Sequence, residues 1–201
     1  VTKNAHLQLP SSQKGFSLIE VMIAVVVVTV ALVALLGTLG VALAASQTAQ
    51  QDMIARQLAS EAMESVYAAR NTSELSFTQI NNVANGGIFM NGFQSANCAG
   101  PDGIVGTADD ATCLTSSGTV CPNAGVKCLT EAGPDGILGT ADDVIQSLSN
   151  YTRQIQITPL LDSNNNPIST LRSVTITIQY TVPQSSLPKT YVITEYVSSY
   201  H

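Results

Sequence analysis

Gly100-Pro101-Asp102-Gly103-Ile104-Val105-Gly106-Thr107-Ala108-Asp109-Asp110 recurs 33 residues later as Gly133-Pro134-Asp135-Gly136-Ile137-Leu138-Gly139-Thr140-Ala141-Asp142-Asp143. Ten of the eleven positions agree, the exception being Val105 against Leu138. Calcium takes roughly six to eight oxygen ligands, carboxylates and carbonyls, from tightly turned loops. Asp102 precedes a glycine turn, and Asp109 and Asp110 follow it, so one loop offers three carboxylates. Thr107 adds a hydroxyl, and Gly103 and Gly106 let backbone carbonyls turn inward. Asp135, Thr140, Asp142 and Asp143 repeat the set. The spacing lacks the longer acidic ladder and terminal Glu of an EF-hand. Calcium is therefore one expectation, with one ion per loop or one shared. The other is a duplicated Pro-Asp-Gly turn whose Asp pair is a solvated strand end. Two copies do not make a solenoid.

Four cysteines, Cys98, Cys113, Cys121 and Cys128, lie around and between the two loops. An even, clustered set suggests two disulfides in an oxidising compartment. Zinc is the rival, but there is no C-x-x-C pair, and the only histidines, His6 and His201, are near the chain ends. Of the three connectivities, local pairing is favoured. Cys98–Cys113 would close a loop around the first acidic repeat, leaving Cys121–Cys128. No catalytic constellation appears: there is no G-x-S-x-G, no phosphate loop, no H-E-x-x-H and no internal histidine to act as a base. The chain is expected to be no enzyme.

The other chemistry-bearing residues stand at the start of an apolar run. Val21 to Ala45 is Val, Ala, Leu, Ile and Met, broken only by Thr29, Gly37, Thr38 and Gly40, and no charge occurs between Glu20 and Asp52. About 20 apolar residues span a bilayer core, so this run is long enough to cross with some tilt. Helix is how a lone segment in lipid satisfies its backbone, which overrides the poor propensity of Val25–Val28. A secretory signal peptide would use Ala42-Leu43-Ala44 as its cleavage site, but the run exceeds the usual length and Glu20 interrupts its start. A plain anchor explains Lys3 and Lys14 but not Glu20. The third reading is a leader cut before the apolar segment.

Gln13-Lys14-Gly15-Phe16-Ser17-Leu18-Ile19-Glu20-Val21-Met22-Ile23-Ala24 resembles the class III leader of type IV prepilins and type II secretion pseudopilins. The resemblance implies cleavage by prepilin peptidase between Gly15 and Phe16, N-methylation of Phe16, and a role for Glu20 in assembly. It also implies, as partners, other pilin or pseudopilin subunits, an inner-membrane assembly platform and membrane lipid before assembly. The expected location is the bacterial inner membrane, head in the periplasm, and then a filament. Glu20 has a physical reason as well. A carboxylate at the apolar end of a membrane helix is costly unless neutralised. Cleavage would create an α-amino cation at Phe16, able to pair with Glu20 of a neighbour. The acidic repeats are in turn similar to Asp/Gly-rich calcium loops of bacterial surface proteins, and some pseudopilins bind calcium in their heads.

Positioning these residues requires a helix and a sheet. Ser46 to Arg70 contains no Gly or Pro, and Ile54, Leu58, Ala62 and Val66 recur at helical spacing. From 16 to 70, one continuous helix would measure about 80 Å. Residues 71–97 are rich in Asn, Ser and Gly and read as a loop. Tyr151–Thr158, Val174–Val182 and Tyr191–Val197 alternate as strands, separated by turn signals at 162–167 and 183–188. The expected fold is α+β: a long N-terminal transmembrane and stalk helix packed on a C-terminal antiparallel sheet, pilin-like, with a disulfide-bearing insertion. The expected segments are a leader at 1–15, the membrane helix at 16–45, an amphipathic stalk at 46–70, and the loop at 71–97. The acidic insertion follows at 98–145, and the sheet at 146–201. The order looks most like a minor pilin of the PilV kind or a pseudopilin of the GspI kind.

Net charge is −6, and removal of 1–15 with its two lysines leaves six Lys and Arg against fourteen acids. Without a basic patch, direct nucleic-acid binding is not expected. The leading functional expectation is a structural subunit, a minor one, of a type IV pilus or related pseudopilus. The alternative is a calcium-dependent adhesin or ligand-binding protein carried at the filament tip.

Overall fold

The computed structural model describes residues 15–182 and 187–200. The leader residues up to Lys14, with Lys3 and His6, lie outside the described residues, as do His201 and the start of the expected turn at Pro183. The chain divides into two units, the first ending at Ser46 and the second running from Gln47.

Helix α1 spans Leu18–Asn71. Within the first unit its side chains are mostly apolar and exposed, from Leu18 at 80% through Val41 at 72%. Among the described residues α1 alone is long and apolar enough to cross a membrane. Its two threonines are satisfied internally: Thr29 donates to Val26 O and Thr38 to Leu35 O, both at 2.8 Å. Such back-bonding is how hydroxyls are tolerated where no water is available. The helix runs unbroken through Gly37 and Gly40, where an added Cβ would meet nothing within 4 Å.

In the second unit the same helix turns one face into a core. Ile54, Ala55, Leu58, Ala59, Ala62, Met63, Val66 and Ala69 are buried. Four of these eight are alanines, so half of the buried stripe is made of small side chains. The helix ends where Ser73 adopts φ 61° and Glu74 N returns to Ala69 O at 3.0 Å, a left-handed C-terminal stop made by a non-glycine residue.

The sheet order is β1-β4-β5-β6, with β1 at Gln94–Ser95, β4 at Tyr151–Leu161, β5 at Pro167–Tyr180 and β6 at Lys189–Ser198. All pairs are antiparallel. The 4-5-6 meander follows from the alternating runs, and the strands extend beyond them because the turn is tighter than its sequence signal. Asp162 Oδ1 accepts from Asn164 N and Asn166 N, both at 2.8 Å, and Asn165 is left-handed, so β5 can begin at Pro167. Ile155, Ile157, Val174, Ile176, Ile178 and Val197 face the helix stripe in one core. Tyr151 and Tyr180 stack at 5.4 Å, and the Tyr180 hydroxyl donates to Asp52 Oδ1 on α1 at 2.7 Å.

Between helix and sheet, 71–97 is mostly irregular, as its composition suggests, but it is tied down. Asn82 is buried, its amide donates to Ile155 O at 2.7 Å, and its Oδ1 accepts from Ile157 N at 2.8 Å. One side chain thus stands in for a pairing strand on the stretch of β4 that two-residue β1 does not reach. Further on, a one-turn helix α2 (Pro122–Gly125) precedes a hairpin of β2 (Cys128–Glu131) and β3 (Val144–Ser147). This hairpin has no clear sequence signal, because four-residue strands are too short to show alternation. It hangs from the β1 edge: Lys127 N donates to Ala96 O and Leu148 N to Lys127 O, both at 2.9 Å.

Candidate functional site

Gly15, Phe16 and Ser17 precede α1 in extended or irregular backbone, and Ser17 O accepts the first helical bonds from Glu20 N and Val21 N. An added Cβ at Gly15 would meet nothing within 4 Å, so nothing in the fold of this chain requires glycine there. Glu20 sits in the first turn, where a carboxylate suits the positive end of the helix dipole. With Phe16, Val21, Ala24, Val25 and Thr29 it lines a shallow apolar groove. Among the described residues Glu20 takes part in no ion pair.

The two acidic loops share one internal architecture. Each is closed by an antiparallel pair at equivalent positions, Cys98 with Ala111 and Glu131 with Val144. Gly103 N bonds Gly100 O and Gly136 N bonds Gly133 O, both at 3.0 Å. Asp102 Oδ1 accepts from Ile104 N and Asp135 Oδ1 from Ile137 N, both at 2.8 Å. Thr107 donates to Asp109 Oδ1 and Thr140 to Asp142 Oδ1, both at 2.6 Å. Those hydroxyls are the main reason the Asp109 and Asp142 carboxyls are held below the ordinary range. Gly103 and Gly136 have φ of 71° and 70°, and Gly106 and Gly139 of 85° and 91°. At Gly100 an added Cβ would lie 2.2 Å from Asp109 O, and at Gly133 2.3 Å from Asp142 O. Glycine is therefore required by the turns and by the closure of the loop on itself.

The surroundings of the loops differ. In the first, Ile104 and Val105 are 1% exposed and join the main core. Gly106 lies against β4, where a Cβ would meet Ile155 Cδ1 at 2.6 Å, and Gly106 O accepts from Met90 N at 2.8 Å. Asp110 accepts from Gly106 N and Thr107 N at 2.9 and 3.1 Å, and pairs at 3.3 Å with Arg153, which is 2% exposed. Burial lowers the Arg153 pKa, and Asp110 and Glu61 oppose that. Cys98–Cys113 encloses this loop, and Cys121–Cys128 ties α2 to β2. In the second loop Ile137 and Leu138 are each 61% exposed, and Gly139 has open space where Gly106 has Ile155. Asp143 Oδ2 accepts from Gly139 N at 2.7 Å, while its Oδ1 is enclosed with no donor.

The carboxylates of both loops thus face their own backbone and hydroxyl donors. Among the described residues no group of three or more His, Cys, Asp or Glu is gathered as a metal site. Two residues that matter here carry no sequence signal as site residues: Asn82, one amide among several in a loop, and Arg153, whose role depends on which loop β4 meets.

A family model described as the prokaryotic N-terminal methylation motif matches residues 10–36. The chain carries the class III leader of type IV pilins and pseudopilins. Gly15, Phe16 and Glu20 fall within the match, together with the first half of the apolar segment. The motif marks a pilin-type precursor, and the single long apolar helix fits its anchoring in a membrane. No curated protein and no solved structure matches the chain.

Proposed function

We propose that the chain is a structural subunit, a minor one, of a type IV pilus or related pseudopilus. Prepilin peptidase cuts it between Gly15 and Phe16, Phe16 is N-methylated, and an inner-membrane platform builds the product into a filament with other pilin or pseudopilin subunits. The observation that carries this reading is the methylation motif, set on a helix whose membrane-length face has no partner in its own unit. Glu20 supplies the physical reason. Among the described residues it has no cation, and the amine freed at Phe16 of a neighbour neutralises it and sets an axial register. Mass spectrometry of the mature N-terminus tests processing: N-methyl-Phe16 is expected, and an intact Gly15–Phe16 bond sinks the reading. Glu20→Ala is expected to be cut and retained in the membrane but excluded from filaments, and normal incorporation would overturn the role of Glu20.

A second reading is a calcium-dependent, ligand-binding head at a filament tip. Two features favour it: the duplicated carboxylate loops and the enclosed Asp143 Oδ1 without a donor. The ligand set would be Asp102, Thr107, Asp109 and Asp110 in one loop and Asp135, Thr140, Asp142 and Asp143 in the other. Calcium is expected to raise the melting temperature and chelator to reverse it. A melting temperature unmoved by calcium in both the parent and the Asp102→Ala plus Asp135→Ala variant removes this reading.

A further inference from the structure

We propose that the second acidic loop, Gly133–Asp143, is a docking knob for another protein chain. Its partner surface presents what β4 presents to the first loop: a guanidinium or ammonium group set among branched aliphatic side chains. The molecule contains its own template for the contact. The first loop has the same sequence at ten of eleven positions and the same turn, Asp-cap and Thr–Asp bonds. It lies against Arg153 and Ile155, with Phe89 also in the core it joins. There Ile104 and Val105 leave water, Gly106 admits the Ile155 methyl to its backbone, and Asp110 takes the guanidinium. Each of these features has a counterpart in the second loop, and none is used. Ile137 and Leu138 stand exposed side by side, the space beside Gly139 is open, and Asp143 has no ion pair among the described residues.

Apolar side chains at a loop tip beside an uncompensated carboxylate mark an interface whose partner is basic and apolar at once. Charge complementarity selects that partner. Asp135, Asp142 and Asp143 belong to the loop and Glu131 to the strand at its base, and no Lys or Arg lies between 128 and 152. The loop also sits at the end of β2 and β3, on the hairpin that leaves the sheet at its β1 edge. An equivalent bed on the partner would receive the knob with its turn bonds already formed, the Asp135 cap and the Thr140–Asp142 bond matching those of the docked copy, while Asp143 keeps only its bond from Gly139 N.

The test uses the full-length chain in cells that make it natively, with the photo-crosslinker p-benzoyl-phenylalanine at Leu138. Asn164, exposed on the β4–β5 turn, is the control position. The expected result is a crosslink from Leu138, and not from Asn164, to a peptide of another protein chain with an Arg or Lys bordered by Ile, Val or Leu. Asp143→Asn is expected to lower its yield about tenfold, and Ile137→Ser to lower it while leaving the melting temperature of the chain unchanged. Chelator is expected to have no effect, because the cation that completes Asp143 is a side chain. Four outcomes overturn the proposal: equal yields at Leu138 and Asn164, crosslinks to lipid alone, crosslinks mapping to surfaces without Arg or Lys (on a second copy or any other chain), and a yield lost on chelation.

Discussion

The first acidic loop and the second are nearly the same peptide in two environments. Both fold the same way, because their turns need only local partners. Two glycines in each take positive φ, an Asp side chain caps the next turn, and a Thr hydroxyl holds the following Asp. Their neighbours decide everything else. The first lies on β4 and contributes Ile104 and Val105 to the core, with Asp110 compensating the buried Arg153. The second ends a two-stranded hairpin and leaves the equivalent side chains in solvent. Local sequence therefore determines the shape of such a loop, and its place in the chain determines whether that shape supports the fold or remains available to something else.

The largest difference should come from the paired aspartates. Asp110→Ala leaves Arg153 buried and uncompensated, a loss of about 3–5 kcal/mol. Asp143→Ala removes one backbone bond and one enclosed oxygen, at about 1 kcal/mol or less. Denaturant titration of the full chain in detergent checks both, and equal losses would break the contrast. Next come the apolar tips. Ile104→Ala should cost about 2–5 kcal/mol through lost burial and the cavity it opens, and Ile137→Ala should stay within about 0.5 kcal/mol. The smallest effect concerns what the loops share. Asp109 and Asp142 are both held ionised by a Thr hydroxyl, with folded values below the ordinary Asp range. That stability is complete above an unfolded value of about 3.9 and is lost as pH falls through the depressed folded values. Asp109→Asn and Asp142→Asn should each lower the melting temperature slightly and equally near neutral pH, with the difference from the parent vanishing as pH falls through the acid limb. Unequal effects would show that the two loops differ internally.

Much of the molecule was legible in the sequence. The helix stripe at Ile54, Leu58, Ala62 and Val66 and the alternation in β4 and β5 are periodic signals of burial, and each of these elements buries the face its period marks, whereas in β6 only Val197 is fully buried. The leader motif is contiguous, so its resemblance to class III leaders could point to Gly15, Phe16 and Glu20 by position. The β2–β3 hairpin was not legible, since two four-residue strands carry too few residues to establish a period. Nor was Asn82, because an amide that substitutes for a strand is chemically the same as one in solvent. Arg153 was read as one inward position of an alternating strand. Its pairing with Asp110 spans 43 residues, and identical Asp-Asp pairs at 109–110 and 142–143 gave the sequence no means to choose between them.

What the sequence by itself determined is the local part. It set the leader motif and the carboxylate within it, an apolar segment that must be helical in lipid, and two loops whose glycines and Asp caps close them on their own backbones. These depend on interactions within a few residues, so the chain carries them wherever it goes. Only the tertiary structure decided that α1 buries its Ala-rich face on the sheet, that Asn82 completes the edge of β4, and that one acidic loop is core while its twin stays exposed. Burial and ion pairing are set by which surfaces meet, and two nearly identical peptides cannot both occupy the single place beside Arg153.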